Sequence, residues 1–575
     1  MKSPLGPIGS AFGKRGLTLI MALVLVVLVA APLATILVQT LYPSSAAWGD
    51  VLASRLSQNL FWRPTVNTMI IGLAVAAGCV LLGGFLAWLV VMTDMPGRPA
   101  IAFMATLPFM IPSFATALAW GTLFRNGRVG GGGGLLEGLG FAVPDWLSWG
   151  MTPTIAVLIA QYYALAFTVI AAALATVNGD LVEAAQMTGA SRKRILFGIV
   201  FPVVTPAVIA AGSLAFAAAV SNFAAPALLG LPVRMQTLST RLFGMIEIGQ
   251  TERGYVLAIL LIGISAIFLG LGNRVLAGRR SFATIGGKGA RPRRFALGGA
   301  RLPLTVTAWI VCILTTILPI LLLVAASLAP SSLALFSDWT LHYWIGRPDP
   351  AFARGQPGIF YNPQLLSALT TTLGLGMAVA FASNVIGILI AVALTRQKVP
   401  VLSSLVSQLS FLPMLLPGIA FAAAYIALYG APIGPLPALY GTKLLLGLAL
   451  TAATLPFAVQ TGRATISQIS GDIDEAARMT GAGFLRRLGA ITLPLAARGL
   501  TAGLLIAFVN VIGDLTITIL LYTPTSPPLA VLSYSYASDG FYQFANAVTL
   551  VILIISMLAT GAATLLRGPR RQSFT

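Results

Sequence analysis

Twelve runs of about 20 apolar residues, each long enough for a helix to cross a hydrocarbon core, leave this chain few folds to choose from. Inside lipid a backbone N–H or C=O has no water to bond, so each run must satisfy its own backbone, which a helix does within one segment. The runs fall near residues 17–41, 66–92, 101–124, 154–177, 203–229, 255–276, 304–328, 365–395, 402–428, 444–466, 495–522 and 546–566. Of the 575 residues 57% are hydrophobic and 9% charged, where a soluble domain carries roughly 25% charged residues. The expected fold is an all-α polytopic membrane protein with about 12 transmembrane helices.

The first run follows Lys2, Lys14 and Arg15, as the core of a secretory signal would. It is long, however, and residues 304–328 are its counterpart later in the chain, so it reads as an uncleaved first span. The net charge of +20 could suit nucleic acid, but the basic residues are spread between the runs rather than gathered in one patch. A cytoplasmic N-terminus puts nearly the whole excess of 35 Lys and Arg over 15 Asp and Glu on the cytoplasmic side, as the positive-inside bias requires. The C-terminus, with Arg567, Arg570 and Arg571, then lies on that side too.

The chain is also duplicated. DLVEAAQMTGASRKRILFGIVFP at Asp180 to Pro202 returns 292 positions later as DIDEAARMTGAGFLRRLGAITLP at Asp472 to Pro494. LPFMIP at Leu107 to Pro112 is answered by LPMLLP at Leu412 to Pro417. Residues 1–277 and 303–575 are therefore expected to be two repeats of six spans each, joined by a Gly- and Arg-rich cytoplasmic linker, 278–302. An even number of spans makes the repeat parallel, so both polar loops face the cytoplasm. Asp180 and Asp472 precede Glu183 and Glu475 by three, which predicts capping boxes with Asp as the N-cap. Gly189 and Gly481 are placed to stop those helices. Basic residues follow, Arg192, Lys193 and Arg194 in one copy and Arg486 and Arg487 in the other, on a second short helix that ends where Pro202 or Pro494 opens the next run.

Glu-Ala-Ala, three residues, Gly, nine residues, Ile, one residue, a large apolar residue and Pro occurs in both loops. It resembles the EAA loop of permease subunits in bacterial binding-protein-dependent ABC importers, with Phe201 where leucine is usual. The resemblance implies that each loop carries a coupling helix docking on a cytoplasmic ATPase, through Glu183, Ala184, Ala185 and Gly189 and through Glu475, Ala476, Ala477 and Gly481. It further implies two copies of an ABC ATPase subunit, an extracytoplasmic substrate-binding protein and a bacterial inner (cytoplasmic) membrane. Both halves in one polypeptide, with SNFAAPALLGLPVR at Ser221 to Arg234 and GDLTITILLYTP at Gly513 to Pro524, look most like the ferric-iron branch. Thiamine, polyamine and phosphonate permeases are similar relatives. An ATP-independent carrier with duplicated halves would share the topology but has no need of the doubled loop.

Few residues could carry chemistry. There is no Walker A sequence, the nearest fragment being Gly286-Gly287-Lys288-Gly289, so ATP and Mg are expected on the partner ATPase and no cofactor in this chain. No catalytic constellation or metal-ligand spacing occurs; Cys79 and Cys312 lie inside apolar runs, and the single histidine, His342, stands beside Tyr343 and Trp344. Within the apolar runs Asp514 is the most expensive residue, and Asn222 is its counterpart in the first half. These two, with Asn510, either line the passage between halves or make interhelical hydrogen bonds. Pro108, Pro112, Pro413 and Pro417 are expected to break or kink the third span of each half, as candidates for the passage wall. Five glycines, Gly130 to Gly134, read as a flexible outer tip.

Overall fold

A computed structural model describes residues 16–42, 45–129, 132–177, 179–277, 294–336, 338–350, 355–396 and 399–567. Most of the basic linker, with Arg279, Arg280, Lys288, Arg291 and Arg293, lies outside these residues. Among the described residues ten helices are long and apolar enough to span: Gly16–Leu41, Gln58–Met92, Asp145–Leu174, Lys193–Ser221, Thr251–Gly272, Gly298–Leu328, Pro363–Arg396, Lys443–Ile466, Leu488–Ile512 and Tyr542–Leu566. Two bent pairs supply the remaining candidates, Arg98–Met110 with Ser113–Phe124 and Pro400–Leu415 with Gly418–Tyr429. All twelve apolar runs thus return as helix, and among the described residues only isolated β-bridges occur.

The two bends fall at LPFMIP and LPMLLP, with 97° between the helices of the first pair and 114° in the second. The cause is local. A residue before proline is pushed out of the α region, and Ile111 (φ −85°, ψ 120°) and Leu416 (φ −94°, ψ 141°) are both extended, just before Pro112 and Pro417. Pro108 sits in a tight 3₁₀ turn, Leu107–Met110, whereas Pro413 is carried inside its helix.

Prolines also explain five wide π turns: Val26–Ala30, Gln58–Trp62, Leu196–Val200, Ile313–Ile317 and Leu488–Thr492. Each ends two residues before a proline: Pro32, Pro64, Pro202, Pro319 and Pro494. A proline inside a helix has no N–H to give and crowds the carbonyl four residues back. Adding one residue to the preceding turn relieves both problems without breaking the helix. Phe201 N–H accordingly bonds Leu196 O, and Leu493 N–H bonds Leu488 O, five residues back in each case.

The helices pack into two compact units. One contains Pro363–Leu532 and Val551–Gln572 together with the first span of the chain; the other contains Trp48–Asn362 with Ser533–Leu550, and so holds the first span of the second half. Each first span therefore packs on helices of the other repeat. In the first unit the Tyr425 hydroxyl donates to Leu28 O (2.6 Å) and Gln39 Nε2 to Ala427 O (2.9 Å). In the second, Tyr163 and Thr315 hydroxyls meet at 2.9 Å, and Ala308 and Cys312 join the core of Leu86, Phe167 and Ala211. Duplication boundaries and packing units thus divide the chain differently.

Small residues set the closest approaches within each unit. A side chain at Gly83 would stand 2.6 Å from Tyr163 O, and one at Gly387 would stand 2.8 Å from the Ala458 carbonyl carbon. Backbone cannot yield there, so the second and fourth spans of each repeat meet in the way small residues allow membrane helices to meet. Large apolar side chains such as Leu19, Leu81, Val401 and Leu558 are left uncovered by protein, as a lipid-facing surface needs.

Candidate functional site

Each EAA segment forms a short helix, Gly179–Met187 in the first half and Gly471–Met479 in the second. The second helix is capped by Ser470, whose hydroxyl accepts from Asp472 N–H (3.2 Å) and donates to Asp472 Oδ2 (2.9 Å). Asp472 is thus inside the first turn rather than the N-cap, and Asp180 likewise follows the first helical residue, Gly179. In the second half, serine in the cap with an aspartate two residues inside meets the same electrostatic demand by another route.

The helix stops match the expectation from Gly189 and Gly481. Both adopt left-handed backbone, φ 77° and 79°. Ala190 N–H bonds Ala185 O (3.0 Å) while Gly189 N–H bonds Gln186 O (2.9 Å), and Ala482 and Gly481 repeat the pattern on Ala477 and Arg478. These are Schellman closures, which need the αL residue that glycine supplies without strain. The carbonyl that receives the closing bond belongs to the second alanine of the motif in each half. Glu183, Ala184, Glu475 and Ala476 are exposed, Ala185 and Ala477 half-buried, and Met187 and Met479 are each 89% exposed.

The second arm of the loop is not a separate short helix. Lys193–Ser221 is one continuous span in the first half, and Phe484–Arg487, Leu488–Thr492 and Leu493–Ile512 join end to end in the second. The reason is the π turn: Pro202 and Pro494 are absorbed by it instead of starting a new helix. A helix of about 30 residues is roughly 45 Å long, so each glycine turn is connected by one helix to the far end of its span.

At that far end sit Asn222 and Asp514. Asn222 is buried; its amide donates to Ser113 Oγ and to the Tyr162 hydroxyl, both at 2.9 Å, and its Oδ1 accepts from Ala225 N–H (3.0 Å). Ser113 is the first residue after the Pro112 break, so Asn222 ties the end of the long helix to the bend of the third span. Asp514 uses Oδ1 locally, accepting from Ile517 N–H (2.9 Å) and from Thr518 N–H and its hydroxyl (both 3.2 Å). Its segment also meets its own repeat's bend, since a Cβ on Gly418, next to Pro417, would lie 3.2 Å from Thr516 Cγ2. Asn510 donates to Ile506 O one turn back, at 2.9 Å.

Asn222→Leu removes all three side-chain bonds. At about 0.6 kcal/mol each within a membrane bundle, the loss is roughly 2 kcal/mol, seen as a lowered melting temperature of the detergent-solubilised chain. An unchanged melting temperature would mean that Asn222 does not hold this corner together.

Part of the glycine tract is held by a partner that spacing alone did not reveal. Buried Arg125 donates Nε to Gly132 O (2.9 Å) and an amino group to Ser332 Oγ (3.0 Å), and its guanidinium lies 3.5 Å from the Tyr542 ring centre. Gly134 N–H in turn bonds Arg125 O. Glycine is needed because a Cβ at Gly134 would strike the backbone of Thr122, 2.8 Å away. The tract, where described, is thus a fitted wrap rather than a free tip.

Comparison with known proteins places this architecture. The family of binding-protein-dependent transport system inner membrane components matches twice, over residues 79–281 and 383–567. A probable ABC transporter permease protein of Sinorhizobium fredii is 26% identical over 89% of this chain and 88% of its own length. An Fe(3+)-transport system permease protein of Haemophilus influenzae is 23% identical over 87% of this chain and 90% of its own. A putative 2-aminoethylphosphonate transport system permease protein of Salmonella typhimurium is 28% identical over 35% of this chain and 71% of its own. With two family matches on one polypeptide and helices enough for a multi-pass inner-membrane protein, the chain belongs to the binding-protein-dependent transport system inner membrane components, as a fused permease carrying both copies of the repeat.

Proposed function

We propose that this permease component of an ABC importer takes ferric iron from an extracytoplasmic binding protein and passes it to the cytoplasm by alternating access. Two copies of a cytoplasmic ATPase, one on each EAA helix, hold the ATP and Mg; N- and C-termini lie on the same side. The observation that carries the coupling is the continuous helix from each glycine turn to the Asn222 or Asp514 corner. A displacement that the glycine turn passes on from the EAA helix is carried along one helix toward the bent third span. Pro108, Pro112, Pro413 and Pro417, with Asn222, Asn510 and Asp514, are then the moving wall of the passage.

Iron is favoured over phosphonate because the ferric permease relative aligns along nearly the whole fused chain, whereas the phosphonate relative aligns with about a third. The coupling is tested with Glu183→Ala and Glu475→Ala together, in proteoliposomes holding the binding protein and ATPase. The account predicts normal insertion, continued ATP hydrolysis and a fall in iron uptake of roughly tenfold or more, which corresponds to about 1.4 kcal/mol of lost coupling. Full uptake at wild-type ATP stoichiometry would overturn it.

A further inference from the structure

A cavity of about 870 Å³ opens in the second half between the helix Lys443–Ile466, the start of the EAA helix and the helix Leu493–Ile512. Gln460, Thr461, Thr465 and Gln468 form one of its walls, and Arg498 stands opposite. Gln460, Thr461 and Thr465 lie within about one turn of each other at the end of the helix Lys443–Ile466, and Gln468 follows in the turn just beyond it. Polar side chains in a span are expensive unless they face a wet cavity.

The charge is one-sided. Among the described residues no Asp or Glu lines the cavity. The ion pairs Arg128–Asp145 and Arg253–Asp50 lie elsewhere and do not involve Arg498. A second guanidinium stands at the rim, where Arg396 donates to Ile469 O (3.0 Å), itself a lining residue. The acid beside the rim, Asp472, is taken up by Ser470.

The arginine and the two amides of this site are particular to this half, Gln468 corresponding to Thr176. At the offset of 292, Gln460, Thr461, Thr465 and Arg498 correspond to Thr168, Val169, Ala173 and Pro206. An arginine that only marks topology needs water at its tip; it does not need amides and hydroxyls facing it across a cavity.

We propose that this cavity binds an oxyanion, a phosphate or sulfate group, held by the Arg498 guanidinium with Gln460, Thr461 and Gln468 as neutral donors, while the Thr465 hydroxyl donates to Thr461 O (2.8 Å). A planar guanidinium can give two parallel N–H bonds to such a group, and amide and hydroxyl donors complete its remaining lone pairs. A bare ferric ion is the wrong occupant, since hard cations take carboxylate or carbonyl oxygens. The proposal goes beyond the assignment of cargo and of ATPase coupling, and stands whether or not those hold. The oxyanion can come from solution or from an anionic lipid headgroup.

Both native cysteines, Cys79 and Cys312, are buried, so a Gln460→Cys variant carries one reactive thiol. Its rate of modification by a maleimide is measured in nanodiscs of zwitterionic lipid, with and without millimolar inorganic phosphate or sulfate, and in nanodiscs containing phosphatidylglycerol. Protection of fivefold or more that disappears when Arg498→Gln is added supports the site. Protection by phosphate or sulfate identifies a free anion, and protection only by phosphatidylglycerol identifies a headgroup. Gln468→Cys, nearer the EAA helix, repeats the measurement if the first variant folds poorly. An unchanged rate under all conditions, or equal protection in the Arg498→Gln background, overturns the proposal.

Discussion

Gly189→Val and Gly481→Val together are expected to abolish ATP-driven uptake while leaving the chain inserted. Both glycines hold φ near 80°, in the left-handed region, where a residue with a Cβ costs about 1 to 2 kcal/mol and a β-branched one more. No atom lies within 4 Å of where a Cβ would stand at either position. A clash with neighbours therefore cannot account for a defect; what is lost is the turn between the EAA helix and the long helix that follows. Asparagine tolerates this backbone far better than valine does, so Gly189→Asn and Gly481→Asn should keep most of the uptake. Uptake assays on vesicles with matched protein levels separate the two sets. Equal activity of the valine and asparagine variants would show that the turn's backbone is not what transmits motion.

Pro202→Ala with Pro494→Ala is expected to be nearly as damaging, for a geometric reason. Each π turn holds one residue more than an α turn, and it exists because the following proline cannot accept an ordinary one. With alanine the helix is free to close to α throughout. One residue of α-helix is about 100° of rotation and 1.5 Å of rise, so the EAA helix would be re-aimed by that amount relative to its span. The expected result is a stable chain, since two helix-breaking residues are gone, with uptake reduced by at least tenfold. Amide hydrogen exchange across residues 196–202 and 488–494 should show stronger protection in the variant. Unchanged exchange and unchanged uptake would mean that the π turns are incidental to coupling.

Apolar run length and the doubled loop carried most of the fold into view, because both are local properties of the chain. The bends at Pro112 and Pro417 were legible for the same reason: proline acts on the residue beside it. Pro202 and Pro494 were misread as openings of new helices, since sequence alone does not say whether a proline breaks a helix or widens the turn before it. The N-caps were misassigned to Asp180 and Asp472 because each helix begins one residue earlier, at Gly179 and Gly471, and in the second half the hydroxyl of Ser470, two residues before Asp472, takes the free N–H. What stayed hidden depends on distant partners. Nothing in the local sequence around Arg125 announces Ser332 or Tyr542, and nothing around Tyr425 announces Leu28. The cavity facing Arg498 needed two spans side by side before its polar wall could be seen.

Whether both EAA helices are read by an ATPase can be measured directly, because each presents a large exposed apolar side chain. Met187 and Met479 occupy matching positions and are each 89% exposed. A photoreactive amino acid placed at either position in the full chain, irradiated in native membranes and followed by mass spectrometry, would capture whatever docks there. The account predicts an adduct with an ATP-binding-cassette subunit from both positions. Adducts from neither position, in membranes where the same chain still supports uptake, would contradict it.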